Sequence, residues 1–134
     1  MSQLPEEEVY SCVGHDGFAR LVAAFYRLIP DDAILGPMYP AEDLAGAELR
    51  LRNFLIFRFG GPPVYIEERG HPRLRMRHFP FAIGPDERDR WLVHMAAAVE
   101  QTAPTPDIAE RLMTYFVPAA EAMRNREDSP ADGR

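Results

Sequence analysis

The stretch Arg69–Phe81, RGHPRLRMRHFPF, gathers four arginines and two histidines among apolar side chains in a chain whose formal charge is -6. Guanidinium groups recognise carboxylates through charge-assisted, often bidentate hydrogen bonds, and imidazole is a common metal ligand. Pro72 suits the first turn of a helix and Pro80 disfavours helical geometry at Phe79, so the spacing predicts a helix of about two turns between them. Leu74 and His78 share one face of that helix and Phe81 continues its direction, which points the His78 imidazole inward. Taken alone, an inward histidine is more often a core side chain bonded to a backbone carbonyl than a ligand. His71 and His78 are too far apart to share one ion, since seven residues span ~10 Å of helix. The sequence also lacks a Cys-x-x-Cys pair, an HExxH motif and an acidic calcium loop, so a metal site built from protein groups alone is disfavoured. A single inward imidazole suits a metal that brings its remaining ligands with it, and haem in an apolar helical pocket is the main case.

The elements that must position these residues are helical. Phe18, Leu21, Val22, Phe25 and Ile29 repeat at helical spacing, with Asp16 at the start and Pro30 at the end. Leu44, Ala47, Leu51, Phe54 and Leu55 make a second stripe, introduced by Glu42 and Asp43 and stopped by Gly60, Gly61 and Pro62. A third helix begins at Pro85, carries Asp86 and Glu87 in its first turn and aligns Trp91, Leu92, Met95 and Val99. Thr105 and Pro106 open a fourth, whose face is Ile108, Leu112, Tyr115, Phe116, Ala119 and Met123, with a kink expected at Pro118. A compact connection is expected over 31–40 and a longer, less regular one over 60–84. No run alternates with a period of two, so the fold class is all-α.

A chain of 134 residues is one domain's length, expected here over 1–124 with a flexible tail over 125–134. No apolar run approaches the ~20 residues of a membrane span, and the N-terminus lacks a basic start and an apolar signal core. With Cys12 the single cysteine, no internal disulfide can form, and a cytoplasmic protein is expected. The acidic balance argues against nucleic acid as a partner.

Five motifs in order, FYRLIP from Phe25, MYPAEDLAGAE from Met38, GGPPVY up to Tyr65, RGHPRLRMRHFPF, and ERDRWL from Glu87, give a pattern that resembles the group II truncated haemoglobins from about Val9 to Met123. The resemblance implies a two-over-two helical sandwich around haem b, with His78 as the proximal iron ligand of a five-coordinate centre. It implies ligand-side roles for Tyr26, Tyr39 and Trp91, with Ala47 where longer globins usually carry a distal histidine and Leu51 beside it. It also implies Arg50 and Arg77 near the haem carboxylates with Tyr65 beside them, and Phe54, Leu74, Phe81, Ile83 and Met95 against the cofactor. Arg69, Arg73 and Arg75 are read as surface residues, and His15 and His94 as nonligands. Two departures from the family stand out: VGHDG in place of a Gly-Gly turn near Gly14, and FRFGG at Phe57–Gly61 in place of aromatic-Trp-Gly-Gly.

The expected ligands are O2, CO and nitric oxide, held by several donors, which favours oxygen, nitric oxide or peroxide redox chemistry over bulk transport. A nitric oxide dioxygenase-like or peroxidase-like turnover is left open, with an electron donor the sequence does not identify and room for a homodimer. The alternatives are a non-catalytic haem-based oxygen store or gas sensor, though a sensor normally needs an attached output domain. A helical module that binds a partner without cofactor is the reading from another class.

Overall fold

The computed structural model describes residues 5–70 and 83–125, and every regular element among them is helical. Among the described residues five α-helices run in order: α1 Val9–Leu28, α2 Leu44–Arg58, α3 Val64–Arg69, α4 Pro85–Thr102 and α5 Pro106–Ala122. Three single 3-10 turns, Glu6–Glu8, Gly36–Met38 and Ala41–Asp43, fill the connections. α1 packs against both α2 and α4, and α5 packs on α4. None of these helices is long and apolar enough to cross a membrane.

The stripe expected on α1 is the centre of the core: Phe18, Val22, Phe25 and Ile29 are fully buried. The helix starts earlier than the stripe suggests. Its first turn begins at Val9, and α1 is two helical segments that meet at a kink at Gly14, with φ 76° and ψ 171°. One glycine therefore does the work of the pair expected from relatives, because only glycine adopts positive φ at little cost. Asp16 stands beyond the break, its carboxylate 3.4 Å from His15.

α2 ends where the glycines predict. Gly60 has φ 98°, and a Cβ there would lie 1.9 Å from the Glu7 carbonyl oxygen, so the N-terminal turn lies directly against this stop. The Tyr10 N–H donates to the Phe59 carbonyl at 3.0 Å across the same contact. Glu6 pairs with Arg58 of α2 and accepts from Arg111 of α5 at 3.0 Å. The start of the chain thus joins the end of α2 to α5.

α4 opens with Pro85, and the Glu87 carboxylate accepts the Gly84 N–H at 2.7 Å. α5 is capped by Thr105, whose hydroxyl accepts the Ile108 N–H at 3.2 Å. Both starts follow the cap-and-proline logic of the sequence. Pro118 lies inside α5, which continues to Ala122. The region read as irregular contains α3, six residues following Pro62 and Pro63. The short helix expected between Pro72 and Pro80, and the tail from 126, lie outside the described residues.

Candidate functional site

A cavity of about 470 Å³ opens between α2, α4, α5 and the 35–40 segment. α2 contributes Leu44, Ala47, Arg50, Leu51, Phe54 and Leu55, spaced at three and four so that one side of the helix faces it. α5 contributes Tyr115, Phe116, Ala119 and Ala120, followed by Met123 just past its end; all but Ala120 belong to the face expected from sequence. Tyr26, Tyr39, Tyr65, Ile83 and Trp91 complete this part of the wall. Ile83 is fixed by Asn125, which accepts its N–H at 2.9 Å and donates its own backbone N–H to the Ile83 carbonyl at 2.8 Å.

Of the site residues expected from sequence, Tyr26, Tyr39, Ala47, Arg50, Leu51, Phe54, Tyr65, Ile83 and Trp91 are together on this wall. Met95 is not on it. It is fully buried in the core, because α4 reaches the cavity only through its first two turns, at Glu87, Arg88 and Trp91. His78, Arg77, Leu74 and Phe81 lie outside the described residues, as do His71, Arg73 and Arg75.

Three polar side chains of the wall, Tyr26, Tyr39 and Trp91, belong to one aromatic cluster. The rings of Tyr26 and Tyr39 meet edge to face at 5.7 Å, and Phe25 contacts Tyr26 at 5.2 Å and Trp91 at 5.3 Å. Burial pushes the Tyr39 phenol up to about 12, opposed by the Trp91 indole N–H directed at its oxygen. Burial raises Tyr26 further, reinforced by Tyr39, with Arg50 acting against and Glu48 and Asp43 adding to the rise. Both phenols therefore keep their protons at neutral pH. An indole N–H can only donate, and a protonated phenol keeps a hydrogen that it can give to another acceptor.

At the rim, Arg50 donates to Asp43 at 2.6 Å, and the two side chains are 38% and 53% exposed. Bonding to Arg50 holds the Asp43 carboxyl below its usual range, with Arg69 adding to the effect. Exposed pairs of this kind are weak in water, so Arg50 can exchange one carboxylate for another. Arg69 corrects the sequence reading. Its side chain is exposed, as expected, but it also borders the cavity, with its guanidinium 5.9 Å from the centre of the Tyr65 ring. The cause is α3: Tyr65 is buried against Phe54 at 5.4 Å, and Arg69 follows one turn later on the same face. That i, i+4 spacing was the available signal, hidden by the reading of the segment as irregular. Arg88, also on the wall, pairs with Glu121 and with Asp89.

A second polar group escaped notice. The Asp32 side chain is 1% exposed and accepts four N–H groups: Ile34 at 2.7 Å and Leu35 at 2.8 Å through Oδ1, Arg90 at 2.9 Å and His94 at 2.6 Å through Oδ2. Burial works to raise its pKa, but the donors Leu35, His94, Arg90 and Ile34 outweigh it and hold the carboxyl far below the ordinary range.

Chemically, this wall can enclose a flat apolar group, meet carboxylates at one edge with Arg50 and Arg69, and offer phenol and indole hydrogens to a small ligand on its face. Comparison with known proteins agrees with that description. The bacterial-like globin family profile matches residues 8–125. A group 2 truncated haemoglobin of Bacillus subtilis is 34% identical over 120 residues, which is 90% of each chain. The crystal structure of a thermostable haemoglobin from Thermobifida fusca is 52% identical with a TM-score of 0.85, covering 90% of this chain and 98% of its own. A truncated oxygen-avid haemoglobin from Bacillus subtilis has a TM-score of 0.82 at 35% identity, covering 87% of this chain and 98% of its own.

Proposed function

Since the chain belongs to the bacterial-like globins, and within them to the group II truncated haemoglobins, we propose that its cavity holds haem b at a five-coordinate iron ligated by His78 and binds O2, CO and nitric oxide there. When bound, haem supplies the iron on which a diatomic gas is held. The cavity fits such a group: its wall is largely apolar and aromatic, and Arg50 and Arg69, which both act on Asp43, stand on one part of it. Arg50 and Arg69, with Arg77 of the RMRH motif, bind the cofactor's carboxylates, Arg50 by releasing Asp43. Ala47 leaves the ligand side without an imidazole, so the donors come from the aromatic cluster.

The observation that carries this reading is the convergence of Trp91, Tyr39 and Tyr26 on one apolar cavity. Donors fixed before the ligand arrives stabilise an acceptor that draws negative charge, and they cost no reorganisation. Trp91 can only donate, Tyr26 and Tyr39 can donate through their O–H groups, and burial keeps both phenols protonated. Strong retention of O2 suits redox chemistry with nitric oxide or peroxide, driven by a separate electron donor, better than it suits transport. The similar protein described as oxygen-avid is in line with this.

The test is an absorption spectrum of the purified protein before and after reduction and CO addition. A Soret band that shifts with both treatments is expected, and in His78→Ala the haem should be weakly retained. A wild-type chain with no Soret band would defeat the proposal, and an unchanged spectrum in His78→Ala would assign the ligand elsewhere.

A further inference from the structure

We infer that Asp32 is a positioning residue for the ligand site: by bridging the two segments that carry Trp91 and Tyr39, it fixes where these two side chains stand on the cavity wall. This rests on the reading of Trp91 as a ligand-side donor.

The two carboxylate oxygens divide the task. Oδ1 accepts from Ile34 and Leu35, closing the turn that leads into Gly36–Met38 and then Tyr39. Oδ2 accepts from Arg90 and His94 of α4, the residues one before and three after Trp91. The turn itself has little freedom: the Gly36 N–H donates to the Asp32 carbonyl at 2.8 Å, and a Cβ on Gly36 would lie 2.9 Å from the Pro30 carbonyl oxygen. Leu35, next along, is 2% exposed and on the cavity wall. A rotation of α4 about its axis would turn the indole out of its place on the cavity wall, and the bonds to Arg90 and His94, before and after Trp91 in the chain, resist that rotation. Buried, fully satisfied carboxylates of this kind fix geometry because every alternative leaves a charge or donor unpaired. Arg90 is 43% exposed and His94 12%, so the charge of the group is shared with solvent mainly through Arg90.

The test uses the reduced, CO-bound holoprotein, isotopically labelled with nitrogen-15. Trp91 is the sole tryptophan, so its indole N–H gives one resonance that needs no assignment. In Asp32→Asn that resonance should shift and exchange faster with solvent, and O2 release should accelerate about three- to tenfold while CO release changes less, as for one hydrogen bond loosened. Should Asp32→Asn fail to fold, His94→Leu, which keeps the other three donors, should move both readouts the same way, and His94→Gln should restore them. In Trp91→Phe, adding Asp32→Asn should cause no further acceleration, because the two act through one contact. An unchanged indole resonance in a folded Asp32→Asn or His94→Leu protein, or full additivity with Trp91→Phe, overturns the inference. If Trp91→Phe alone leaves O2 release unchanged, the donor reading fails, and the indole resonance still decides whether Asp32 positions the ring.

Discussion

Trp91 and Tyr39 illustrate how much a single side chain decides in this site. A hydrogen bond to a partly charged acceptor is worth ~1.5 to 3 kcal/mol, so Trp91→Phe should speed O2 release by roughly ten- to a hundredfold. CO, less polar when held, should respond less, and Tyr39→Phe in the same chain should enlarge the effect if Tyr39 substitutes for the lost donor. Stopped-flow release of both gases checks this, with equal acceleration of the two pointing to a steric gate instead. Asp32 gives a second expectation. Its pKa is depressed in the folded protein, so its contribution to stability is present above the ordinary carboxylate value near ~4 and is lost as pH falls toward the lower folded value. The stability gap between wild type and Asp32→Asn, about 1 to 3 kcal/mol near neutral pH, should therefore narrow below about pH 4 in urea unfolding. Tyr26, Tyr39 and Trp91 were legible because motifs carried them; Asp32 was not, since its partner His94 is 62 residues away. Met95 lies in the core and off the cavity wall, because helical spacing gives a face of α4 but not how far along the helix the cavity extends.

At the level of elements, helix starts and stops were legible wherever local chemistry enforces them. Thr105 caps α5, Gly84 and Glu87 close the start of α4, and Gly60 ends α2. Where one residue had to do the work of two, or a segment was short, the sequence was a poorer guide, as at Gly14 and α3. The two glycines should separate in mutation. Gly14→Ala meets no atom within 4 Å and carries only the strain of positive φ with extended ψ, a conformation nearly confined to glycine, about 1 to 3 kcal/mol. Gly60→Ala adds a collision with the Glu7 backbone to the strain of positive φ and should cost more, about 3 kcal/mol or above. Thermal unfolding of the two variants checks the order, and equal losses would mean that the N-terminal turn yields readily.

For the whole molecule, an acidic chain keeps a basic edge where its cofactor's carboxylates are expected. Replacing Arg50 and Arg69 with alanine should speed transfer of haem to an acceptor such as apomyoglobin, and more so at low ionic strength, where the attraction is least screened. Haem-loss rates that match wild type at low salt would remove both arginines from the site. The all-α class and the helix faces were readable from periodicity, but the assembly was not, because it rests on contacts between distant parts of the chain. Glu6 bonds Arg111, 105 residues away, and the cavity draws its wall from Tyr26 through Met123. That has a consequence for the order of events during synthesis. The ribosome delivers Tyr26 and Tyr39 early, but Phe116 and Ala119 come only with α5, so an emerging chain presents half an apolar wall with nothing opposite it. A chain that ends before α5 is therefore expected to retain the cofactor more weakly than one that carries the whole matched globin region.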